Sequence, residues 1–297
     1  MKIQFLNGGL ANQSFQYIFA RYYELSHPGE IMYMDDSYFA VYTVHNGYEL
    51  EKVFGIRPHM LSECFDEDVW AFILEERKKG KSVPQIFLED QIQISMLSEV
   101  GDGHKTFNPF DGQVLDIPCN QYLPEILDLP GNLYYHGYWI NKKWFARYQE
   151  AFLQEFTFPK ITDERNLRYM DEIRSSNSLS VHIRRGDYVT LGLSQDPVIY
   201  RYHLVRFLKQ APGEWHLFVF SDDIGWCREH AKELGIIYYQ EITYVEGNVD
   251  GENYRDMQLM SMCRAMVVSS SAFCYLAALL NMGKQYAVYS TDWEEQG

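Results

Sequence analysis

The sequence predicts an α/β fold made of two Rossmann-like domains that face a central cleft. Short apolar runs typical of β-strands alternate with segments of helical spacing, first at the N-terminus and again, more regularly, from about residue 179. The later strands are mostly apolar, as parallel strands are when helices cover both faces of a sheet. A chain of 297 residues with 46% hydrophobic residues is large enough for two such domains.

The first domain opens with a strand, a glycine turn, a helix and a second strand, and residues 39–139 follow a less regular pattern. We expect strands over residues 2–6, 31–34 and 134–138, helices over 11–25, 65–79 and 142–156, and loops over 101–130.

The second domain alternates strands and helices regularly. We expect strands over residues 179–183, 216–220, 236–239, 265–268 and 286–289, and helices over 197–210, 224–234, 254–263 and 271–282. We assign residues 1–150 to the N-terminal domain and 151–297 to the C-terminal domain, with the join between residues 139 and 178.

Composition limits the partners and the compartment. The formal net charge of -15 argues against a nucleic-acid groove, where basic residues dominate. Five scattered cysteines without a close pair indicate reduced thiols, and the N-terminal run lacks the features of a signal peptide. No stretch approaches the roughly 20 apolar residues of a spanning helix. We therefore expect a cytoplasmic protein, and peripheral attachment to the inner face of a membrane stays open.

The segment from His182 to Tyr188 reads HIRRGDY and closes a predicted strand. Ligands of open α/β sheets bind beyond the carboxyl ends of the strands, and an arginine there can grip a phosphate through its planar fork. Strand alternation puts His182 and Arg184 on one face and Arg185 on the other, and Asp187 could pin either arginine. Taken alone, an Arg–Asp pair on the surface is the simpler interpretation.

Two further segments follow predicted strands in the second domain. Asp222 and Asp223 could bind a guanine base or a ribose, or one of them could cap the next helix. Ser269, Ser270 and Ser271 precede a helix, where hydroxyl and free N–H groups suit a diphosphate, although ordinary capping by serine explains the pattern too. We expect no metal site, because no DxD pair follows a strand.

Together with the N-terminal run, these segments resemble the signature of bacterial α-1,2-fucosyltransferases of glycosyltransferase family 11. The matching runs are GGLANQSFQY from Gly8, HIRRGDY from His182, FSDDIGWC from Phe220 and the D-x-x-LMSxC pattern from Asp256. They keep the family's order over almost the whole chain.

The resemblance implies a GT-B fold and an inverting, metal-independent transfer of L-fucose from GDP-β-L-fucose to the 2-hydroxyl of a terminal galactoside in an oligosaccharide. It makes the N-terminal domain the acceptor side and the C-terminal domain the GDP-fucose side. Arg184 would stabilise the leaving GDP and Asn12 would face the fucose. The resemblance extends donor binding to His182, Arg184, Arg185, Asp187, Asp222, Ser270, Ser271 and Phe273.

Several alternatives stay open. The serine run departs from the family pattern at Ser270, Tyr275 and Leu276, and Ala11 and Ser14 depart from it in the N-terminal run. A related enzyme with another sugar nucleotide or linkage, a non-catalytic glycan-binding protein and an inactive relative are the competing hypotheses. No residue is assigned as general base, since Asp35, Asp36 and the acids near Asp102 are equal candidates.

Overall fold

The computed structural model describes residues 1–42, 46–100, 111–281 and the backbone of Tyr286–Tyr289. The chain divides into two compact units, Met1–Thr157 and Phe158–Gly297. Both are α/β units with an entirely parallel sheet, which confirms the predicted pair of Rossmann-like domains. The acceptor-side and donor-side roles given to the two domains, and their predicted boundary at residue 150, stay predictions.

Unit 1 contains a five-stranded sheet of order β2-β1-β5-β3-β4. Its strands are β1 Lys2–Phe5, β2 Met32–Asp35, β3 Ser95–Val100, β4 Val114–Pro118 and β5 Leu133–His136. Its helices are α1 Leu10–Ser26, α2 Leu50–Phe54, α3 Glu67–Lys78, α4 Val83–Glu89, α5 Lys142–Ala146 and α6 Gln149–Glu155.

Unit 2 contains a second five-stranded sheet, of order β10-β9-β6-β7-β8. Its strands are β6 Ser178–Ile183, β7 His216–Ser221, β8 Glu241–Tyr244, β9 Ala265–Val268 and β10 Tyr286–Tyr289. Its helices are α7 Glu164–Ser175, α8 Gly186–Thr190, α9 Pro197–Gln210, α10 Ile224–Glu229, α11 Tyr254–Met262 and α12 Ala272–Leu279.

The central strands of unit 2 are buried on both faces, which is why they are rich in apolar residues. Every residue of β6 is buried, and Leu179, Val181 and Ile183 pack in a core with residues of β7 and α9. In unit 1, Phe19 of α1 stacks on Trp139 with ring centres 4.4 Å apart. Among the described residues, no helix is long and apolar enough to cross a membrane.

Three of the predicted elements are wrong, the helix predicted over 224–234 ends at Glu229, and the buried strand β3 is not predicted. The loop over 101–130 contains β4, an edge strand whose exposed residues carry no alternating signal, while residues 101–110 lie outside the described part of the chain. The strand over 236–239 is a 3-10 turn after the left-handed Gly235 (φ 79°), and β8 follows it. The helix over 142–156 is broken at Tyr148, whose φ of -124° is not helical.

Buried Glu99 fixes the chain where it leaves β5. Its Oε2 accepts hydrogen bonds from the N–H groups of Tyr138 at 2.7 Å and Trp139 at 2.9 Å, and its Oε1 accepts one from the N–H of Asn120 at 2.9 Å. Trp139 has a φ of 55°, a strained value that these bonds help to hold.

We expect Glu99→Ala to lower the free energy of unfolding by about 2–5 kcal/mol, because it leaves buried N–H groups without an acceptor. Urea unfolding followed by tryptophan fluorescence would measure the loss. Glu99→Gln keeps one acceptor oxygen and should lose less. Equal stability of the alanine variant and the wild type would contradict this role of Glu99.

Candidate functional site

Three of the polar segments meet at one edge of the unit 2 sheet. Strands β9, β6 and β7 are parallel neighbours, and the segments that follow them begin at Ser269, Arg184 and Asp222. The carboxyl ends of parallel strands form the edge where ligands bind in open α/β sheets. The fold thus collects residues that lie far apart in the sequence.

Arg184 is held by two carboxylates at this edge. Its Nη1 lies 2.8 Å from Oδ2 of Asp222, and its Nη2 donates a hydrogen bond of 2.7 Å to Oδ1 of Asp187. The guanidinium carbon lies 5.6 Å from the centre of the Tyr188 ring. The side chain keeps 32% of its surface exposed, so a ligand can still reach it.

Asp222 joins the end of β7 to the end of β6. While Oδ2 pairs with Arg184, Oδ1 accepts the backbone N–H of Arg185 at 2.8 Å. A Cβ on Gly186 would lie only 2.5 Å from Oδ2 of Asp222, so glycine is required there for the carboxylate to approach the backbone. Ser221 adds a second link between the strands through its hydroxyl, which donates to the carbonyl of Ile183 at 2.6 Å.

Arg185 turns toward α10. Its guanidinium carbon lies 3.7 Å from the centre of the Trp226 ring, a cation–π contact, and its Nε lies 3.7 Å from Oδ2 of Asp223. The other oxygen of Asp223 caps α10 by accepting the N–H of Trp226 at 3.0 Å. Arg185 and Asp223 therefore stabilise the loop that carries Asp222.

His182 is buried at the end of β6. Its Nδ1 lies 3.3 Å from Oγ of Ser269, and its ring centre lies 5.6 Å from that of the half-buried Phe273. Burial lowers the pKa of His182 to about 3, and the positive charge of Arg184 acts in the same direction. The imidazole is therefore neutral near pH 7 and can offer one donor and one acceptor.

The serines after β9 have different partners. Ser271 caps α12, since its Oγ accepts the N–H of Phe273 at 3.3 Å. The N–H of Ser269 donates to Sγ of the buried Cys274 at 3.2 Å, and burial raises the pKa of that thiol to about 11. Ser270 is half-buried, and its N–H donates to Oε1 of Gln195 at 3.4 Å. The capping interpretation thus holds for Ser271.

The corresponding edge of unit 1 carries the N-terminal glycine run. The amide of Gln13 donates to the carbonyls of Gly8 at 2.9 Å and Gly47 at 2.8 Å, and Oε2 of Glu49 accepts the N–H of Leu10 at 3.0 Å. Asn12 lies half-buried in the first turn of α1, and its Nδ2 would be only 2.5 Å from a Cβ on Gly8. The glycine therefore allows Asn12 to fold back over the turn.

The two acids after β2 differ in their surroundings. Buried Asp35 accepts hydrogen bonds from the hydroxyl of Tyr134 at 2.6 Å and the N–H of Ser37 at 3.0 Å. Burial, with the charge of Asp35 beside it, raises the pKa of Asp36 to about 6. With this pKa, Asp36 can exchange a proton near neutral pH. The third candidate base, near Asp102, lies outside the described residues.

A family model described as "Glycosyl transferase family 11" matches residues 119–296. The chain belongs to this family. The predicted resemblance to this family is thereby confirmed, and the match includes three of the four sequence segments, all but the run from Gly8.

Similar proteins include transferases of two sugars. An alpha-1,2-colitosyltransferase of Escherichia coli is 28% identical over 98% of this chain and 91% of its own length. Galactoside 2-alpha-L-fucosyltransferase SEC1 of Bos taurus is 27% identical over 50% of this chain and 42% of its own length. Among solved structures, fucosyltransferase NodZ from Bradyrhizobium aligns over 94% of this chain and 92% of its own, with 13% identity and a TM-score of 0.49.

The structure brings most of the predicted donor-binding residues of this family 11 chain to one edge of unit 2. They are His182, Arg184, Asp187, Asp222, Ser270, Ser271 and Phe273. Arg185 begins at the same edge but packs on Trp226, and Asn12 belongs to unit 1. The donor-binding and catalytic roles of all these residues stay predictions.

Four contacts of the site are not foreseen from the sequence. Tyr188 and Trp226 stand inside the matched motifs, so their packing on the two arginines could have been suspected. Cys274 lies in an apolar helix, where the sequence indicates a core residue. Gln195 lies in a loop that carries no motif. For these two the sequence carries no signal.

The buried His182 should make unit 2 sensitive to acid. The unfolded chain binds a proton below the ordinary histidine pKa of about 6.5, and folded His182 does not, so stability falls as the pH drops below that value. From pH 7 to pH 5 we expect His182→Gln to lose about 2 kcal/mol less unfolding free energy than the wild type. Urea titrations at both pH values measure this difference, and parallel losses would contradict it.

We expect Gly186→Ala to disturb the site strongly, although the substitution adds only one methyl group. The added methyl group meets the Asp222 carboxylate, which must move and take Arg184 with it. A displacement of this order costs about 10- to 100-fold in turnover. Gly225→Ala is the matched control, because its Cβ would make an ordinary contact at 3.8 Å. The two variants should be compared by steady-state kinetics, and equal turnover would contradict the role of Gly186.

Proposed function

We propose that this family 11 glycosyltransferase transfers L-fucose from GDP-β-L-fucose to the 2-hydroxyl of a terminal galactoside, with inversion and without a metal ion. The observation that carries the proposal is the half-exposed Arg184 at the carboxyl end of β6, beside the neutral His182 and the serines after β9. The α-1,2 linkage is supported by the names of two relatives, the colitosyltransferase and the galactoside fucosyltransferase.

In the proposed reaction, the acceptor oxygen attacks the anomeric carbon of fucose from the face opposite GDP. The new carbon–oxygen bond forms as the bond to the β-phosphate breaks, and the bonding electrons leave with GDP. Arg184 would donate hydrogen bonds to the diphosphate and stabilise the charge that develops on it. His182, Ser270 and Asp222 would contribute to binding of the nucleotide. The hydroxyl proton passes from the acceptor oxygen to solvent in the same step.

The first test measures release of GDP from GDP-fucose with lactose as acceptor, in the presence of EDTA. Arg184→Ala should reduce turnover about 100- to 1,000-fold, the loss typical of removing a donor to a developing anion. Arg174→Ala, which removes an exposed arginine of α7, is the matched control and should retain activity. NMR of the product gives the linkage.

The outcomes separate the parts of the proposal. If the enzyme is active without EDTA and inactive with it, metal independence is overturned. A product with a linkage other than α-1,2 would overturn the proposed linkage. Full activity of Arg184→Ala would remove that residue from the reaction. If the wild type binds no GDP, the donor assignment fails.

A second candidate donor is GDP-colitose. It is favoured by the colitosyltransferase that matches 98% of this chain. Colitose is fucose without its 3-hydroxyl, so a site that hydrogen-bonds this hydroxyl discriminates between the two sugars, whereas an apolar site does not. Running both GDP-sugars in the same assay decides which one has the higher kcat/KM.

A further inference from the structure

Both terminal nitrogens of Arg184 face a carboxylate. Nη1 pairs with Asp222 at 2.8 Å and Nη2 pairs with Asp187 at 2.7 Å. A guanidinium binds a phosphate best through two parallel N–H groups, and every such pair uses at least one of these two nitrogens. One of the two carboxylates then has to give way or share its partner.

The two carboxylates are fixed to different degrees. Asp222 is 27% exposed, its second oxygen accepts the N–H of Arg185, and Gly186 lies against it. The side chain of Asp187 is 48% exposed. Within the described residues, Arg184 is its one hydrogen-bond or ion-pair partner. Releasing Asp187 therefore costs one exposed ion pair, whereas releasing Asp222 also breaks a link between two strands.

The net charge of the cluster also favours release of Asp187 rather than Asp222. The cluster holds Arg184 and Arg185 against Asp187, Asp222 and Asp223, so it carries one net negative charge before any ligand arrives. A diphosphate would meet this charge at short range. Moving the exposed carboxylate of Asp187 into water weakens the repulsion, because water screens it there.

We propose that Asp222 is a positioning residue that keeps Arg184 at the sheet edge, whereas Asp187 takes the place of a phosphate and releases Arg184 when a diphosphate binds. The proposal deepens the proposed function and rests on it for the identity of the nucleotide. No covalent bond changes in this exchange. Arg184 trades one oxygen anion for another, and Asp187 is hydrated.

The first experiment measures the Kd of GDP and of inorganic pyrophosphate by calorimetry. Asp187→Asn removes the competing charge and should lower both Kd values about two- to fivefold, the range that an exposed ion pair contributes. Asp171→Asn is the matched control. This exposed acid lies one turn before the end of α7, which leads into the start of β6 and thus toward the opposite edge of the sheet. Its Kd values should equal those of the wild type.

The second experiment tests Asp222→Asn with GDP, pyrophosphate and guanosine. If Asp222 acts through Arg184, the variant binds both diphosphates more weakly and guanosine equally well, and in the transfer assay kcat falls more than KM rises. A comparable loss of guanosine binding would mean that Asp222 contacts the nucleoside directly, which overturns the positioning role. Tighter diphosphate binding would overturn it too.

Failure of this proposal differs from failure of the proposed function. Unchanged or weaker binding by Asp187→Asn, when the wild type binds GDP, overturns the exchange alone. A wild type that binds pyrophosphate but no GDP overturns the nucleotide assignment, and the exchange is then decided by the pyrophosphate values. If the wild type binds neither ligand, both proposals fall.

Discussion

The ion pair between Arg184 and Asp222 is the interaction on which the unit 2 site depends. It joins the residue after β6 to the residue after β7, and the same carboxylate holds the backbone of Arg185. Two strand ends and one guanidinium are thus fixed by a single side chain. Such a pair contributes little net stability when exposed, but it fixes geometry, which matters more at a site with the proposed role of stabilising a developing charge.

The local arrangement is compatible with the proposed binding of an anion by an acidic chain. With a formal net charge of -15, long-range attraction of a nucleotide is unavailable. What remains are short-range donors: a guanidinium, a neutral imidazole and the groups of the serine loop. Burial keeps His182 neutral, so it adds hydrogen-bonding capacity without adding repulsion to Arg184 next to it.

The sequence predicts most of the inner strands, because burial on both faces favours apolar residues. It misses the inner strand β3, whose buried residues include Ser98 and Glu99, and the partly exposed edge strands β4 and β8. It is also wrong at the 3-10 turn after Gly235, where a left-handed residue redirects an apolar run. In the site, the motif order identifies Arg184 and Asp222. It does not reveal that these two side chains form an ion pair, because the local sequence does not determine which strands are neighbours in a sheet.

The two units use carboxylates in the same way, although their sequences at these points differ. In unit 2, Asp222 accepts the N–H of Arg185 after β6; in unit 1, Glu49 accepts the N–H of Leu10 after β1, and Glu99 accepts the N–H groups after β5. Loops at the carboxyl ends of parallel strands expose unpaired N–H groups, and a carboxylate is their strongest side-chain acceptor. Glu49 and Glu99 are buried, and a buried acid is costly unless each of its oxygens has a partner. Asp222 is partly exposed, but it also uses both oxygens, one on Arg184 and one on the N–H of Arg185, and so the group that orders the loop also places the guanidinium.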